Sequence, residues 1–202
     1  MKLRHNPASP YVRKVMVVAH ELGLADRIEL LSTAVSPVES NAALAAENPL
    51  MKIPALTTDD GQVLFDSPVI CEYLDSVAGG GKVFPAGGKA RWTALRQQAL
   101  GDGILDALIL CRYEIAARPE EKRHAAWTEG QMRKAHQGLA ALEAEDLSGP
   151  RTIGPITAAC TLGYLDFRFP NDGWRQRHPR LAAWYKGVET LPSIQATKPP
   201  AS

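Results

Sequence analysis

Apolar residues in the N-terminal part of the chain alternate between short runs and helical stripes. The stripe from Tyr11 to Leu22 has apolar residues at intervals of three and four, which predicts a helix over residues 10–22. Gly23 follows the stripe and is expected to end this helix. Comparable patterns predict strands over residues 2–5, 27–31, 55–57 and 63–65, and helices over residues 42–47 and 67–78. The helix over 67–78 is expected to turn four residues inward, namely Val69, Ile70, Tyr73 and Leu74.

A run of three glycines, Gly79-Gly80-Gly81, separates this part from a different pattern. Beyond it no strand-type alternation remains, and long stripes predict helices over residues 89–116, 120–145, 157–167 and 179–191. We therefore expect an α/β domain over residues 1–80, a linker over 81–88 and an all-helical domain over 89–202. Residues 197–202 are expected to be disordered.

Composition and charge limit the cellular compartment and the classes of partner that can be expected. The chain has 202 residues and a formal net charge of +1, so charge balance implies no polyanion or nucleic-acid partner. It has neither the uninterrupted apolar core of a signal peptide nor an apolar run long enough to span a bilayer. Cys71, Cys111 and Cys160 are odd in number and widely spaced, which favours buried free thiols over disulfides or metal ligands. The sequence thus predicts a soluble cytoplasmic protein with neither a metal nor a membrane partner.

The predicted hairpin over residues 55–65 is the strongest candidate for a binding site. It follows Ile53-Pro54, and an X-Pro bond at the entry of a strand is where a cis peptide can occur. A cis bond there would turn the Ile53 N–H and C=O outward, free to pair with an extended peptide-like ligand. The hairpin leads into Asp66-Ser67 at the start of a helix, whose first N–H groups lack internal partners and favour an anion. This arrangement suits a small acidic peptide.

These motifs, in this order and spacing, resemble the cytosolic glutathione transferases. The pattern Asn-Pro-x-x-x-Ile-Pro at residues 48–54, the hairpin and Asp66-Ser67 resemble the family's glutathione-binding half. Residues 1–15 resemble the first strand and helix of Ser-type bacterial members, and residues 178–193 resemble the family's last helix. The resemblance covers nearly the whole chain. It implies a thioredoxin-like domain followed by a C-terminal helical bundle.

The resemblance also implies glutathione as a co-substrate. Its backbone would lie along Ile53 and Pro54, and its γ-glutamyl end would meet Asp66 and Ser67. Lys52 would approach the glycyl carboxylate unless it is a solvated surface lysine. Plainer interpretations stay open, because an Asp-Ser pair is an everyday helix cap and only about 5–6% of X-Pro bonds are cis.

Ser9 is the candidate catalytic residue. Ser9-Pro10 fits an N-cap followed by Pro at the first helical position, which places the hydroxyl at the positive end of a helix. In Ser-type relatives the matching Ser donates a hydrogen bond to the glutathione sulfur and favours its thiolate. Ser9 could instead only cap its helix, and Asn6 could supply a second donor. The turn over residues 6–10 has no Cys, which argues for glutathione as a nucleophile and against disulfide exchange.

The function expected from these features is transfer of an electrophilic small molecule to the glutathione sulfur, in a homodimer. The second substrate would lie between the domains, against residues of the long helix, namely Asp102, Asp106, Leu110, Arg112 and Tyr113. Asp102 and Asp106 superficially resemble a paired-carboxylate site, but ion-paired or solvated carboxylates are the expectation. Two alternatives remain open: a non-enzymatic binding or regulatory protein of this fold, and a glutathione-dependent isomerase or dehalogenase.

Overall fold

A small mixed sheet organises the N-terminal part of the protein. In the computed structural model, which describes residues 1–200, its strands are β1 (Lys2–His5), β2 (Glu29–Ser32), β3 (Ala55–Thr57) and β4 (Val63–Leu64). The strand order is β2-β1-β3-β4, with β1 parallel to β2 and both other pairings antiparallel. Leu3 and Leu56 lie opposite each other on β1 and β3, and both are fully buried.

Three helices belong to this part: α1 (Pro10–Glu21), α2 (Ala42–Glu47) and α3 (Ser67–Val77). Ser9 caps α1, Pro10 occupies its first turn, and Gly23 follows with a positive φ of 69° that suits glycine. Helix α1 packs both on α3 and on α6 (Ile153–Arg168) of the helical part. The first helix is therefore shared between the two parts.

Six helices form the rest: α4 (Gly88–Ala117), α5 (Ala125–Glu143), α6 (Ile153–Arg168), α7 (Trp174–Arg177), α8 (Pro179–Val188) and α9 (Pro192–Ala196). Helix α6 is buried from Ile153 to Leu165, between α1 and α4. Gly154 lets it approach α4 closely, since a Cβ there would lie 2.6 Å from the Gln97 Cβ. A mixed sheet with helices followed by a helical bundle confirms the predicted fold class.

A buried carboxylate fixes the connection between α3 and α4. Asp75, 2% exposed near the end of α3, accepts four backbone N–H hydrogen bonds, from Gly81, Lys82, Val83 and Phe84. The segment predicted only as a linker is thus bound to the first part by a side chain.

Several local predictions were wrong. Val69 is 46% exposed, because the buried face of α3 is formed by Ile70, Cys71 and Leu74.

The bounds of several elements also differ from the predicted ones. The strand predicted over 27–31 begins at Glu29, after a 3-10 turn at Ala25–Arg27. The helix predicted over 120–145 is a 3-10 turn (Glu120–Lys122) followed by α5. The helix predicted from residue 157 begins at Ile153, and the Thr157 hydroxyl donates to the Ile153 carbonyl at 2.7 Å. The prediction for residues 197–202 falls in part on 201 and 202, which lie outside the described residues.

Candidate functional site

The loop before β3 presents an unpaired stretch of backbone. The Ile53–Pro54 bond is cis, and the Ile53 side chain is 8% exposed. Within residues 1–200, neither the N–H nor the C=O of Ile53 has a hydrogen-bond partner. A free backbone donor and acceptor just before a strand can pair with the backbone of a peptide.

Asn48, which sequence reasoning passed over, holds this loop in place. Its side chain is 1% exposed, donates to the Lys52 carbonyl at 2.8 Å and accepts from the Leu50 N–H at 3.0 Å. Its own carbonyl accepts from the Met51 N–H at 2.8 Å. The only sequence signal for this role was the Asn at the start of the Asn-Pro-x-x-x-Ile-Pro pattern. Lys52 itself is exposed, and it forms no ion pair among the described residues.

Asp66 and Ser67 stand at the start of α3, as the sequence predicts. Ser67 is 2% exposed, whereas Asp66 is exposed and its carboxylate makes no capping hydrogen bond. The Phe65–Asp66 peptide bond is also cis. In the described part of the chain, the N–H groups of Ser67 and Val69 have no acceptor. This first turn can therefore bind an anion such as a carboxylate.

Ser9 caps α1 with its lone pairs and keeps its proton available. The Ser9 Oγ accepts from the Val12 N–H at 3.3 Å, and the Ser9 N–H donates to the Asn6 carbonyl at 3.0 Å. A hydroxyl that accepts can still donate its own hydrogen. Capping and donation to a ligand sulfur are thus compatible. The Asn6 side-chain oxygen accepts from Ala8 N–H at 3.0 Å, so that side chain is partly committed to the turn.

Helix α4 contributes two carboxylates that are each engaged by a side chain of α1. The fully buried Lys14 side chain bonds both oxygens of Asp102, at 2.6 and 2.7 Å. Burial raises the pKa of Asp102, although the Lys14 ammonium opposes the rise. The Tyr11 hydroxyl donates to Asp106, and burial together with this hydrogen bond raises the pKa of Tyr11 far above its usual value. Asp102 and Asp106 join two helices and do not form a catalytic carboxylate pair.

The protein's own cysteines are unsuited to nucleophilic chemistry. Cys71, Cys111 and Cys160 are buried free thiols, as predicted from the sequence. Burial raises the pKa of Cys71 to about 12 and that of Cys160 to about 11, so both stay protonated at neutral pH. Within the described residues, no group of three or more His, Cys, Asp or Glu side chains is arranged to hold a metal ion. No helix of that same part is both long and apolar enough to cross a membrane.

Comparison with known proteins identifies relatives over the whole chain. The family model of the glutathione S-transferase N-terminal domain matches residues 8–77, and that of the C-terminal domain matches residues 125–187. The uncharacterized GST-like protein YibF of Escherichia coli K12 is 30% identical, over 99% of this chain and 99% of its own length.

Solved structures give the same result. A glutathione transferase family member from Pseudomonas fluorescens Pf-5 with bound glutathione is 52% identical, covers 99% of each chain and has a TM-score of 0.96. A structure from the same organism with bound S-(propanoic acid)-glutathione is 50% identical over 100% of each chain, with a TM-score of 0.92. These proteins share the fold of this chain over nearly its whole length.

Proposed function

Because the chain belongs to the glutathione S-transferase family, we propose that it binds glutathione and activates the thiol for attack on an electrophilic small molecule. The relative with bound glutathione supports the ligand, and the relative with bound S-(propanoic acid)-glutathione supports a conjugate as the product. The observation that carries the proposal is the set of unpaired backbone groups at Ile53 and at the first turn of α3. These groups match the backbone and the terminal carboxylate of a short acidic peptide.

In the proposed complex, the cysteinyl backbone of glutathione pairs with Ile53 beside Pro54. Its γ-glutamyl carboxylate meets the Ser67 hydroxyl and N–H, and its amino group meets Asp66. The exposed Lys52, the residue before Ile53, meets the glycyl carboxylate. The sulfur then lies at the N-terminus of α1, where Ser9 donates to it.

One serine and one helix end are sufficient to form a thiolate. Lowering a thiol pKa from roughly 8.5 to about 6.5 takes about 2.7 kcal/mol. A hydrogen bond to a charged group contributes roughly 1.5–3 kcal/mol, and a helix N-terminus adds roughly 0.3–1 kcal/mol. No catalytic base is needed, and holding the two reactants together supplies much of the remaining rate.

The domain division, the oligomer and the compartment are part of the same proposal. We place the boundary at residues 81–88, between the end of α3 at Val77 and the first residue of α4, Gly88. A homodimer is supported by Val69 and Trp92, which are 46% and 68% exposed on α3 and α4 near the 2.6 Å Glu72–Arg91 ion pair. Buried free thiols support the cytoplasm.

The test is an ultraviolet titration of bound glutathione across pH. Wild type should form the thiolate well below the pKa of free glutathione. Ser9→Ala should lose this shift and about 1 kcal/mol of stability from the lost cap, whereas Ser9→Thr should keep both. Ser76→Ala, at an exposed serine of α3, is the matched control.

Calorimetry separates binding from activation. Asp66→Ala should weaken glutathione binding, and Ser9→Ala should mainly lower turnover. Bound glutathione with an unshifted thiol pKa would leave Ser9 as a cap only. Absence of binding, with capture of a macromolecular partner instead, would favour a non-enzymatic protein of this fold.

A further inference from the structure

Two neighbouring cations of α1 are both buried, but only one of them has an acidic partner. Lys14 is paired with Asp102. Arg13 is 7% exposed, and within residues 1–200 its guanidinium forms no ion pair. Its Nε also has no hydrogen-bond partner in that part of the chain. A buried charge without a counter-ion lowers stability, so a contribution to stability does not explain this side chain.

The Arg13 side chain is enclosed by three helices of the second part. Its guanidinium donates to the Ile194 carbonyl of α9 at 3.2 Å. It also lies against Gly163 of α6, where an added Cβ would be 2.0 Å from the Arg13 Nη1 and 2.9 Å from the hydroxyl oxygen of Tyr185 on α8. Burial raises the pKa of Tyr185 to about 12, although the Arg13 charge opposes the rise. Tyr185 is therefore neutral at pH 7 and supplies no counter-charge.

The backbone of Arg13 is bonded to the turn that carries the candidate catalytic serine. The Arg13 N–H donates to the Ser9 carbonyl at 3.0 Å, which closes the first turn of α1. A helical side chain leans towards the N-terminus of its helix and covers the turn before its own Cα. Arg13 thus joins the capping turn, through its backbone, to α9, through a side-chain bond that spans 181 positions of the sequence.

The Ser9 cap alone fixes this turn weakly. The bond from the Val12 N–H to the Ser9 Oγ is 3.3 Å long, whereas N–H···O bonds in proteins are most often about 2.9–3.0 Å long. A donor that is to act on a reacting atom must be held within roughly 0.5 Å of its working position. A second restraint on the first turn of α1 is therefore needed if Ser9 donates to a ligand sulfur.

We propose that Arg13 is a positioning residue, whose side chain anchors the first turn of α1 to α6, α8 and α9 so that the Ser9 hydroxyl is directed at the glutathione sulfur. The inference rests on the proposed function, because it requires Ser9 to donate to that sulfur. It goes further by giving the distant C-terminal helix α9 a part in thiol activation.

The decisive measurement is the thiol pKa of bound glutathione, followed by ultraviolet absorbance across pH. Arg13→Met keeps a long side chain and removes the donors and the charge. The thiol pKa should rise by about half a unit to one unit, which means roughly three- to tenfold less thiolate at a pH below it. Calorimetric affinity for S-methylglutathione, which has no thiol, should stay within about twofold. The melting temperature should stay the same or rise, because an unpaired buried charge has been removed.

A second variant moves the guanidinium without removing its charge. Gly163→Ala places a Cβ where the Arg13 Nη1 now lies, so the guanidinium must shift away from the Ile194 carbonyl. This variant should raise the thiol pKa as Arg13→Met does. Gly130→Ala on α5, where an added Cβ meets nothing within 4 Å, is the matched control and should leave the thiol pKa unchanged. Arg13→Lys should keep most of the activation, because its ammonium can still donate to the carbonyl.

A double-variant cycle shows whether Arg13 acts through Ser9. In the Ser9→Ala background, Arg13→Met should have no further effect on the thiol pKa. Equal effects in the two backgrounds would mean that Arg13 acts on the sulfur independently of Ser9, and this would overturn the positioning role. An unchanged thiol pKa in Arg13→Met and Gly163→Ala would overturn it too, and if Gly163→Ala does not fold, Arg13→Met decides alone.

Two further results separate this inference from a structural role and from the proposed function. A lower melting temperature of Arg13→Met together with lost S-methylglutathione affinity would make Arg13 a general structural residue and overturn the proposal. If Ser9→Ala leaves the thiol pKa unchanged, the proposed function fails. If Ser9→Ala raises the thiol pKa and the Arg13 variants do not, only the positioning role fails.

Discussion

The two walls of the candidate site are made from different parts of the chain. On the wall nearer the sheet, the groups that can meet a ligand are mostly backbone: the Ile53 N–H and C=O, and the first N–H groups of α3. The opposite wall is held together by side chains of two helices, α1 and α4. Lys14 and Asp102, which meet there, are 88 positions apart in sequence.

The difference determines which substitutions each wall tolerates. A backbone donor is placed by local turn chemistry and survives most changes of its own side chain. A side-chain ion pair in a buried place depends on both partners, since one charge left alone there costs far more than the pair contributes. We therefore expect single substitutions to affect stability strongly on the helical wall and weakly on the sheet wall.

The largest expected effect comes from removing Asp102. Asp102→Ala leaves the Lys14 ammonium fully buried without the two bonds of 2.6 and 2.7 Å, which should lower the free energy of unfolding by about 3–5 kcal/mol. Urea denaturation at neutral pH measures this. The double variant Lys14→Met with Asp102→Leu should recover most of the loss, because no charge then remains buried.

The exposed pair Lys2–Glu29, at 3.8 Å with both side chains 59% exposed, is the matched control. Glu29→Ala should change the free energy of unfolding by less than about 1 kcal/mol. A loss of that same small size in Asp102→Ala would remove the contrast between the two walls.

Sequence reasoning succeeded where structure is encoded over a few residues. The predicted bounds of β1, α2 and β3 match the observed ones, and the Ile53–Pro54 bond, where the sequence indicated that a cis peptide can occur, is cis. Ser9-Pro10 also marks the start of α1, because caps and first-turn prolines act within one helical turn. The backbone wall was predictable for this reason.

Features that depend on contacts between distant parts of the chain were not predictable from the sequence. In the sequence, Lys14 is only a charge that interrupts an apolar run. Its side chain is nevertheless fully buried, which requires an acid from a distant helix. The four N–H hydrogen bonds to Asp75 form only because the chain turns back to α3 after the glycine run, and no local pattern predicts that turn.

A smaller effect is expected at Ile53, where the proposed ligand contact is backbone. Ile53→Val removes one methylene from an 8% exposed side chain and should cost about 0.5–1.5 kcal/mol of stability. Glutathione affinity measured by calorimetry should stay within about twofold, because the N–H and C=O remain. Ser67→Ala, which removes a proposed side-chain contact, should weaken binding more than Ile53→Val does. The reverse order would contradict the backbone interpretation of this wall.

The smallest effect tests a side-chain contact within the sheet wall itself. Arg4 on β1 donates to Glu47 on α2 at 2.9 Å, with the two side chains 20% and 24% exposed, and this hydrogen bond holds the pKa of Glu47 below its usual range. Glu47→Gln should cost about 1 kcal/mol at neutral pH.

Because the folded-state pKa of Glu47 is depressed, the stabilisation is present above the ordinary glutamate pKa and is lost as the pH falls through the folded value. The difference between wild type and variant in urea denaturation should therefore shrink below about pH 4.3, whereas Glu39→Gln, at an exposed acid, should show little difference at any pH. If the difference stays constant into acid, the Gln variant loses packing and not charge. The charge of Glu47 would then contribute nothing measurable to stability, as expected of side chains on the sheet wall.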